Sequence, residues 1–336
     1  MSLRAFSFGL FLCSALPALA GDQLPTVDPT FQIEFTQGLV YGVGEVEAPA
    51  PGQKDLLLDL YEPIGAGQDG ELLPALVIIH GGGFVGGSRQ QSQLVDIALE
   101  AASRGYVAIS IDYRLEPDAP VTSARVEPIL QGFLAGQGDV STAQAEAIVA
   151  AIDDGLTALD WLLASAPELG VDPDRIGLLG GSAGAITSVH LAYILDNYGL
   201  EPQAVRFVID LWGGSVIPPD DAEAAAAHLG TGEAPLFAIH GELDSTVPVE
   251  LSDLLTARAL DQQVPYEYHP IADAGHGFGS VDLFNREVTP GVTLFDRALA
   301  FARSALQGTV PLVPPVFTDG FESGDTSAWG ETVSDP

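Results

Sequence analysis

Residues 175–185 read RIGLLGGSAGA, a short apolar strand followed by a tight turn and the start of a helix. The turn carries the pattern G-x-S-x-G with Ser182 at its centre. A serine on a sharp strand-to-helix turn projects its hydroxyl from the tip, and flanking glycines avoid side-chain clashes there. The first amides of the helix point at the same place, where they can hold developing negative charge. An ordinary glycine-rich turn is the alternative, so the surrounding sequence has to decide.

Segments of strand and helix character alternate on both sides of this turn. Nearly continuous apolar runs predict buried strands at 72–79, 106–111, 205–211 and 235–239. Helical spacing of apolar residues predicts helices at 93–104, 141–166, 183–197, 251–260 and 293–306. Strands that alternate with helices indicate an α/β fold, with a mostly parallel, doubly wound sheet and helices on both faces.

Three further segments complete this outline. Residues 31–43 and 55–61 partly alternate apolar and polar side chains, which predicts an antiparallel strand pair at one edge of the sheet. Residues 265–269 predict a late strand. Residues 116–140 contain prolines at 117, 120 and 128 and are predicted to be irregular.

A serine hydroxyl is a weak nucleophile until a base removes its proton, and a histidine oriented by a carboxylate is well suited to do so. Functional groups of doubly wound sheets collect at the carboxyl ends of the strands. Downstream of Ser182, Asp244 follows a predicted strand, and His276 lies in a loop bracketed by glycines. The chain order serine, aspartate, histidine therefore predicts a catalytic triad of these three residues.

Other acidic residues compete with Asp244 for the orienting role. Glu242 comes early in the same loop, Asp253 lies in a predicted helix, and Asp273 is too near the histidine in sequence. We therefore expect Asp244 to be the orienting carboxylate.

The other five histidines are predicted to have structural roles or to lie on the surface. His80 and His240 end predicted strands, where they would fix loop backbones by hydrogen bonding. His269 is predicted to be a half-buried strand side chain, and His190 and His228 lie in helical stretches.

A run of three glycines follows the predicted strand at 72–79, within the sequence HGGGF at residues 80–84. Backbone amides that no side chain covers can approach a substrate oxygen closely. Because the run lies upstream of the serine turn, Gly82 and Gly83 are predicted to form an oxyanion hole together with the amide of Ala183. A flexible loop without this role is the alternative.

Six motifs in this order resemble those of the α/β-hydrolase carboxylesterases. They are HGGGF at 80–84, DYRL at 112–115, DPDRI at 172–176, GGSAG at 180–184, HGELD at 240–244 and GHG at 275–277. The similarity is greatest to the hormone-sensitive-lipase-like and the feruloyl- and acetylxylan-esterase-like branches, and it covers about residues 50–305.

The resemblance implies an α/β-hydrolase fold and hydrolysis of carboxylic esters through an acyl-enzyme. Ser182 would attack the carbonyl carbon, and His276 would pass the proton to the leaving alcohol before activating water. Asp244 would orient the histidine. The D-Y-R-L match implies that Asp112 and Arg114 tie loops together behind the site.

One segment departs from the lipase-like branch. The chain between D-Y-R-L and the next helix, residues 115–142, is longer here, and no long helical cap precedes the first strand. Its small apolar cluster of Leu130, Phe133 and Leu134 predicts a lid over the acyl pocket, with simple surface packing as the alternative.

The net charge of the chain and the spacing of its potential ligand residues limit which molecules it is expected to bind. Acidic residues outnumber basic ones 46 to 12, and the net charge is −34. Such a surface repels nucleic acid and anionic lipid. The partner that the resemblance implies is a small or polymer-borne ester substrate. No histidine or acidic cluster has the spacing of a metal site and no dinucleotide fingerprint occurs, so neither a metal nor a cofactor is predicted. The sequence indicates no particular oligomeric state.

The N-terminal segment of the chain predicts export. Residues 1–20 combine Arg4, an apolar core and an A-x-A cleavage site, as in a secretory signal peptide. Cleavage would remove Cys13, the only cysteine, and with it any disulfide or thiol nucleophile. Residues 21–308 are predicted to form the catalytic domain, and residues 309–336 a proline-rich linker and an acidic, disordered tail. We therefore expect a protein without a membrane anchor, secreted to the periplasm or the medium.

Two other functions use the same features. A serine peptidase of this fold needs the same triad, and the H-G-G-G motif favours ester substrates only by resemblance. A non-catalytic binding module of the same fold usually lacks a triad residue, whereas all three candidates are present here.

Overall fold

A computed structural model describes residues 23–136, 140–201, 204–218, 221–277 and 283–312. The predicted signal peptide and all but the first residues of the predicted linker and tail lie outside these ranges.

One mixed sheet of nine strands forms the centre of the described chain. The strands are β1 (Gln32–Val46), β2 (Gly52–Ile64), β3 (Leu73–Ile79), β4 (Val107–Ile111), β5 (Pro120–Val121), β6 (Val171–Gly181), β7 (Val205–Leu211), β8 (Leu236–Gly241) and β9 (Tyr266–Ile271). Their order across the sheet is β5-β1-β2-β4-β3-β6-β7-β8-β9. Strands β4, β3 and β6 to β9 are parallel, and β5, β1 and β2 add antiparallel pairs at one edge. A small separate hairpin joins β10 (Glu287–Thr289) to β11 (Val292–Thr293).

Seven α-helices that have both ends in the described ranges accompany these strands. They are α1 (Ser92–Ser103), α2 (Glu127–Ala135), α3 (Thr142–Leu169), α4 (Ala183–Tyr193), α5 (Ala222–Ala226), α6 (Glu250–Asp261) and α7 (Leu294–Leu306). Ser141 caps α3 by accepting the amide of Gln144, as its sequence position predicts. The helix ends at Gly170, whose φ of 64° is accessible at little cost only to a residue without Cβ. None of the helices in the described ranges has both the length and the apolar character needed to cross a bilayer.

The sheet is covered on both faces because neighbouring residues of a strand point in opposite directions. In β3, Leu76 and Ile78 join the apolar cluster of α1 and α7, whereas Val77 and Ile79 join that of α2, α3 and α4. All four side chains are fully buried. The predicted α/β fold with helices on both faces of a mostly parallel sheet is confirmed.

Two local predictions are wrong. Residues 116–140 are not simply irregular, because they contain β5 and α2. Pro128 lies in the first turn of α2, where the missing amide hydrogen has no partner to lose. The helix predicted over 183–197 ends at Tyr193, and a short 3₁₀ turn, Asp196–Tyr198, follows it.

A buried charged cluster holds the D-Y-R-L segment against α3. The guanidinium of Arg114 donates to Asp154 at 2.7 Å and to Asp153 at 3.1 Å. It also donates to the backbone carbonyls of Glu45 and Val121, at 3.0 and 2.6 Å. One buried cation therefore joins β1, β5 and α3, which agrees with the structural role that the resemblance implies.

A second ion pair cluster fixes the loop that follows HGGGF. The Arg89 guanidinium contacts the carboxylates of Asp59, at 2.7 Å, and Asp112, and its backbone amide donates to Asp112 at 2.7 Å. The loop is thereby attached to β2 and to the end of β4, beside the predicted oxyanion glycines.

Candidate active site

Ser182 occupies a strained turn between β6 and α4. Its φ of 56° and ψ of −123° are unfavourable for a residue with a side chain, so tight packing around the turn has to hold this conformation. A Cβ at Gly180 would lie 2.1 Å from the carbonyl carbon of Gly184, and one at Gly184 would lie 2.0 Å from the oxygen of Ile79. The two glycines of G-x-S-x-G are therefore required by the close approach of backbone on both sides of the serine.

The structure brings the three predicted triad residues into one chain of hydrogen bonds. His276 Nε2 lies 2.9 Å from Ser182 Oγ, and His276 Nδ1 lies 2.6 Å from Asp244 Oδ2. A carboxylate can only accept, so Nδ1 carries the proton in the neutral ring and Nε2 is free to accept from the serine hydroxyl. This arrangement can move a proton from the serine to the imidazole.

The Asp244 carboxylate is held by its own loop. Its side chain is 0% exposed, and Oδ1 accepts the amides of Thr246 and Val247 at 2.8 and 2.9 Å, which leaves Oδ2 facing the histidine. Burial raises the pKa of Asp244, but hydrogen bonds from His276 and the two amides outweigh it and bring the pKa below the usual value. The carboxylate is therefore charged in neutral solution and can stabilise an imidazolium.

The competing acids have other partners or positions. Tyr268 donates to Asp253 at 2.7 Å, Asp273 is paired with Arg286 at 3.1 Å, and Glu242 is exposed. Only Asp244 among these four carboxylates has a hydrogen bond to His276 in the described structure.

The other histidines of the site region support backbone, as predicted for His80 and His240. His80 Nδ1 donates to the carbonyl of Gly81 at 2.7 Å, its ring stacks on Tyr113 with centroids 4.2 Å apart, and Tyr113 donates to the His80 carbonyl. His240 Nε2 donates to Val247 at 2.9 Å and lies 3.3 Å from Asp244 Oδ2. The second histidine thus steadies the carboxylate loop, a contact that sequence spacing does not reveal.

The glycine run forms a tight turn beside the serine. Gly82 and Gly83 have φ of 118° and 61°, and the Gly82 carbonyl accepts two amides from within the loop at 3.1 Å. Within the described chain, the amides of Gly82, Gly83 and Ala183 donate to no other protein group. They are therefore available to an oxygen atom placed above Ser182.

An open cavity of about 400 Å³ lies above the serine. It is lined by Gly81, Gly82, Gly83, Gln91, Gln93, Leu94, Gly181, Ser182, Trp212, Thr246, His276 and Gly277. Sequence reasoning did not single out five of these residues, namely Gln91, Gln93, Leu94, Trp212 and Thr246. Their common feature is position, since each lies in the connection that follows β3, β7 or β8 or in the first turn of the helix after it.

The segment predicted as a lid packs elsewhere. Leu130 and Phe133 are buried in the apolar cluster that contains α3, and Leu134 is 41% exposed. No described residue of 115–142 lines the cavity. These positions favour the packing alternative over a lid.

Trp212 forms a wall of the cavity, and a buried aspartate supports it. The indole packs against Gly181 and Gly277, where an added Cβ would lie 3.5 and 3.7 Å from the ring. Trp212 itself has a φ of 48°, and the next amide, that of Gly213, donates to Asp210 Oδ1 at 2.8 Å. Asp210 is fully buried, its Oδ2 has no protein partner among the described residues, and burial raises its pKa to about 7.

We expect Asp210→Asn to stabilise the fold more at pH 8 than at pH 5. The pKa of Asp210 is higher in the folded state than the ordinary value of 3.8, so its contribution to stability is present in acid and is lost as the pH rises towards 7. About two pH units of this gap lie between pH 5 and the raised pKa of about 7, so the contribution of Asp210 to stability changes by on the order of 3 kcal/mol between pH 5 and pH 8. Measured by calorimetry, the Tm difference between variant and parent should rise by about 5–10 °C between the two pH values. The same Tm difference at pH 5 and at pH 8 would contradict a destabilising effect of the charged Asp210 carboxylate.

Among the described residues, no group of three or more His, Cys, Asp or Glu side chains could hold a metal ion.

Family models match two parts of the chain. A model described as BD-FAE matches residues 58–130, and a model of the α/β hydrolase fold matches residues 142–228. The first contains the H-G-G-G and D-Y-R-L motifs, and the second contains Ser182.

Curated relatives match over part of their length. Phenmedipham hydrolase of Pseudarthrobacter oxydans is 36% identical over 139 residues, which are 41% of this chain and 23% of that protein. Carboxylesterase NlhH of Mycobacterium tuberculosis is 32% identical over 130 residues, 39% of this chain and 32% of NlhH. Lipase 1 of Geotrichum candidum is 33% identical over 146 residues, which are 42% of this chain and 23% of that lipase. The matched part spans 23% to 32% of the length of these relatives.

Solved structures match over nearly the whole domain. Thermogutta terrifontis esterase 2 phosphoramylated by tabun superposes with a TM-score of 0.58 at 22% identity, covering 82% of this chain and 95% of that one. The same esterase phosphorylated by paraoxon gives 0.57 at 23% identity with the same coverage. Together with the sheet order and the two family models, this likeness places the chain in the α/β-hydrolase fold, among relatives that include carboxylesterases and lipases.

Proposed function

We propose that this protein is a serine carboxylic-ester hydrolase that works through an acyl-enzyme. The observation that carries the proposal is the continuous hydrogen-bonded chain Ser182–His276–Asp244. It lies next to three backbone amides that donate to no other protein group among the described residues. The carboxylesterases and lipases among the matched relatives support the same reaction class.

In the proposed reaction, the hydroxyl of Ser182 loses its proton to His276 Nε2 while its oxygen attacks the ester carbonyl. The negative charge that develops on the carbonyl oxygen is held by the amides of Gly82, Gly83 and Ala183. The imidazolium then protonates the leaving alcohol. In the second half, the neutral ring takes a proton from water while the water oxygen attacks the acyl carbon. The bond between that carbon and Ser182 Oγ then breaks, the imidazolium returns its proton to Oγ, and the acid leaves.

Ester substrates fit this site better than peptides. The cavity is open and small, and the bulky apolar side chains among its described lining residues are Leu94 and Trp212. This lining suits a short acyl group, whereas a peptidase needs an extended groove for the residues on both sides of the scissile bond. A binding module without catalysis has no need for the strained backbone of Ser182.

A substrate panel tests the proposal. We expect hydrolysis of p-nitrophenyl acetate and butyrate with kcat/KM at least about 10²-fold above that of the decanoate ester, and no hydrolysis of aminoacyl-p-nitroanilides. Faster cleavage of the anilides than of the esters would favour the peptidase. Loss of activity with EDTA would contradict a mechanism that uses only protein groups.

Export of the mature enzyme is part of the proposal and rests on residues 1–20. The N-terminal residue of protein recovered from the periplasm or medium should be Gly21, and retention of residues 1–20 in that material would contradict cleavage.

A further inference from the structure

Trp212 differs from the other bulky lining residue, Leu94, in its backbone conformation. It follows β7 directly, and its φ of 48° lies in the left-handed region, which is unfavourable for any residue with a side chain. Glycine would adopt this conformation freely. Strained positions of this kind cluster at active sites, where the surrounding structure enforces them. A large ring kept at such a position, beside the nucleophile, indicates a role of its own.

Backbone hydrogen bonds hold residue 212 without help from its ring. The Trp212 amide donates to the carbonyl of Ile239 on β8 at 2.7 Å. The carbonyl of the preceding residue accepts the amide of Ser182 at 2.9 Å, and the amide of the following residue donates to Asp210 Oδ1 at 2.8 Å. The turn is therefore fastened directly to the nucleophile, and replacing the indole leaves these bonds in place.

One edge of the indole faces the loops of the nucleophile and the base. A Cβ added to Gly181, just before Ser182, would lie 3.5 Å from Trp212 Nε1 and Cζ2. One added to Gly277, just after His276, would lie 3.7 Å from Nε1. Both glycines line the cavity, and Trp212 is 3% exposed. A wall acts by occupying space, so the buried ring closes the cavity where these two loops meet.

We propose that the indole of Trp212 is a specificity-determining wall that limits the length of the acyl chain. The inference rests on the proposed ester hydrolysis and assigns its restriction to short acyl groups to one side chain. The alcohol leaves after the first half of the reaction and water has to enter in its place, so that side must stay open to solvent. The acyl group remains bonded to Ser182 Oγ until the end, and a buried apolar wall suits it.

Chain-length profiles test the inference. The quantity measured is kcat/KM, for p-nitrophenyl butyrate and octanoate on the acyl side and for ethyl and hexyl acetate on the alcohol side. The variants are Trp212→Ala and Trp212→Gly, the second of which removes the ring and accepts the φ of 48° without strain. The matched control is Trp161→Ala on α3, a partly buried tryptophan outside the cavity lining. Circular dichroism checks that each variant is folded.

We expect the octanoate-to-butyrate ratio of kcat/KM to rise at least about 10-fold in both Trp212 variants, because the longer chain enters the space that the ring occupied. A ratio taken within one variant cancels any general loss of activity. The hexyl-to-ethyl ratio should stay within about twofold of the parent value, and Trp161→Ala should change neither ratio. An unchanged octanoate-to-butyrate ratio in a folded variant, or a larger change on the alcohol side, would overturn the inference.

The two proposals fail differently. If the parent hydrolyses p-nitrophenyl butyrate and the ratios of the Trp212 variants equal those of the parent, only the role of Trp212 is wrong. If the folded parent hydrolyses no ester of either series, the proposed function itself is wrong, and the role of Trp212 falls with it.

Discussion

Replacing Ser182 with alanine is expected to lower kcat/KM for p-nitrophenyl butyrate by about 10⁴- to 10⁶-fold. The reason is that, in the described part of the chain, Ser182 carries the only hydroxyl that is hydrogen-bonded to His276 Nε2, at 2.9 Å. The fold should survive, because alanine keeps the Cβ that the turn already accommodates. Activity and thermal midpoint are measured on the same preparation.

Ser304→Ala is the matched control, since this serine donates only to a carbonyl of its own helix, α7. Its kcat/KM should equal that of the parent. Parent-like ester hydrolysis by a folded Ser182→Ala variant would show that the reaction occurs somewhere other than at this turn.

The second large effect concerns stability. Arg114→Met is expected to lower the free energy of unfolding by about 3–5 kcal/mol, because it leaves two buried carboxylates without their cation. Asp153 and Asp154 are 8% and 1% exposed at the side chain, and Arg114 is 3% exposed. The backbone carbonyls that Arg114 bridges also lose their donor. Urea unfolding followed by circular dichroism measures the loss.

Two companion variants make this result specific. Arg125→Met breaks an exposed pair with Asp160, at 2.7 Å, and should cost no more than about 1 kcal/mol. Adding Asp154→Asn to Arg114→Met should recover part of the loss, because it removes one uncompensated buried charge. Equal effects of the Arg114 and Arg125 substitutions would contradict a stabilising role for the buried cluster.

Much of the fold follows from local signals. Continuous apolar runs identify β3, β4, β7 and β8, because strands covered on both faces need apolar side chains in both directions. The approach of Ser182, Asp244 and His276 follows from their chain order and from their positions after the carboxyl ends of parallel strands of one sheet. The structure joins the three by two hydrogen bonds, one between Ser182 and His276 and one between His276 and Asp244.

Features that depend on tertiary packing could not be predicted from sequence patterns. The prolines of residues 116–140 led to the prediction of an irregular segment instead of α2. Pro128 lies in the first turn of this helix, where a proline is tolerated. The apolar cluster predicted as a lid packs against α3, since apolar character does not tell which surface a segment covers. The walls of the cavity, Trp212 and Gln93, are ordinary residues until the sheet brings their loops together.

Reaction with paraoxon tests the central claim most directly, because the phosphoryl group of this reagent is attacked by the activated nucleophile and stays attached to it. Treated enzyme is digested, and the modified peptide is identified by mass spectrometry. We predict one diethylphosphoryl group per chain, attached to Ser182 Oγ, with release of one equivalent of p-nitrophenolate and loss of esterase activity in proportion. The Ser182→Ala variant should remain unlabelled. Inactivation with the label on another residue, or full activity of a chain labelled at Ser182, would contradict the proposed triad.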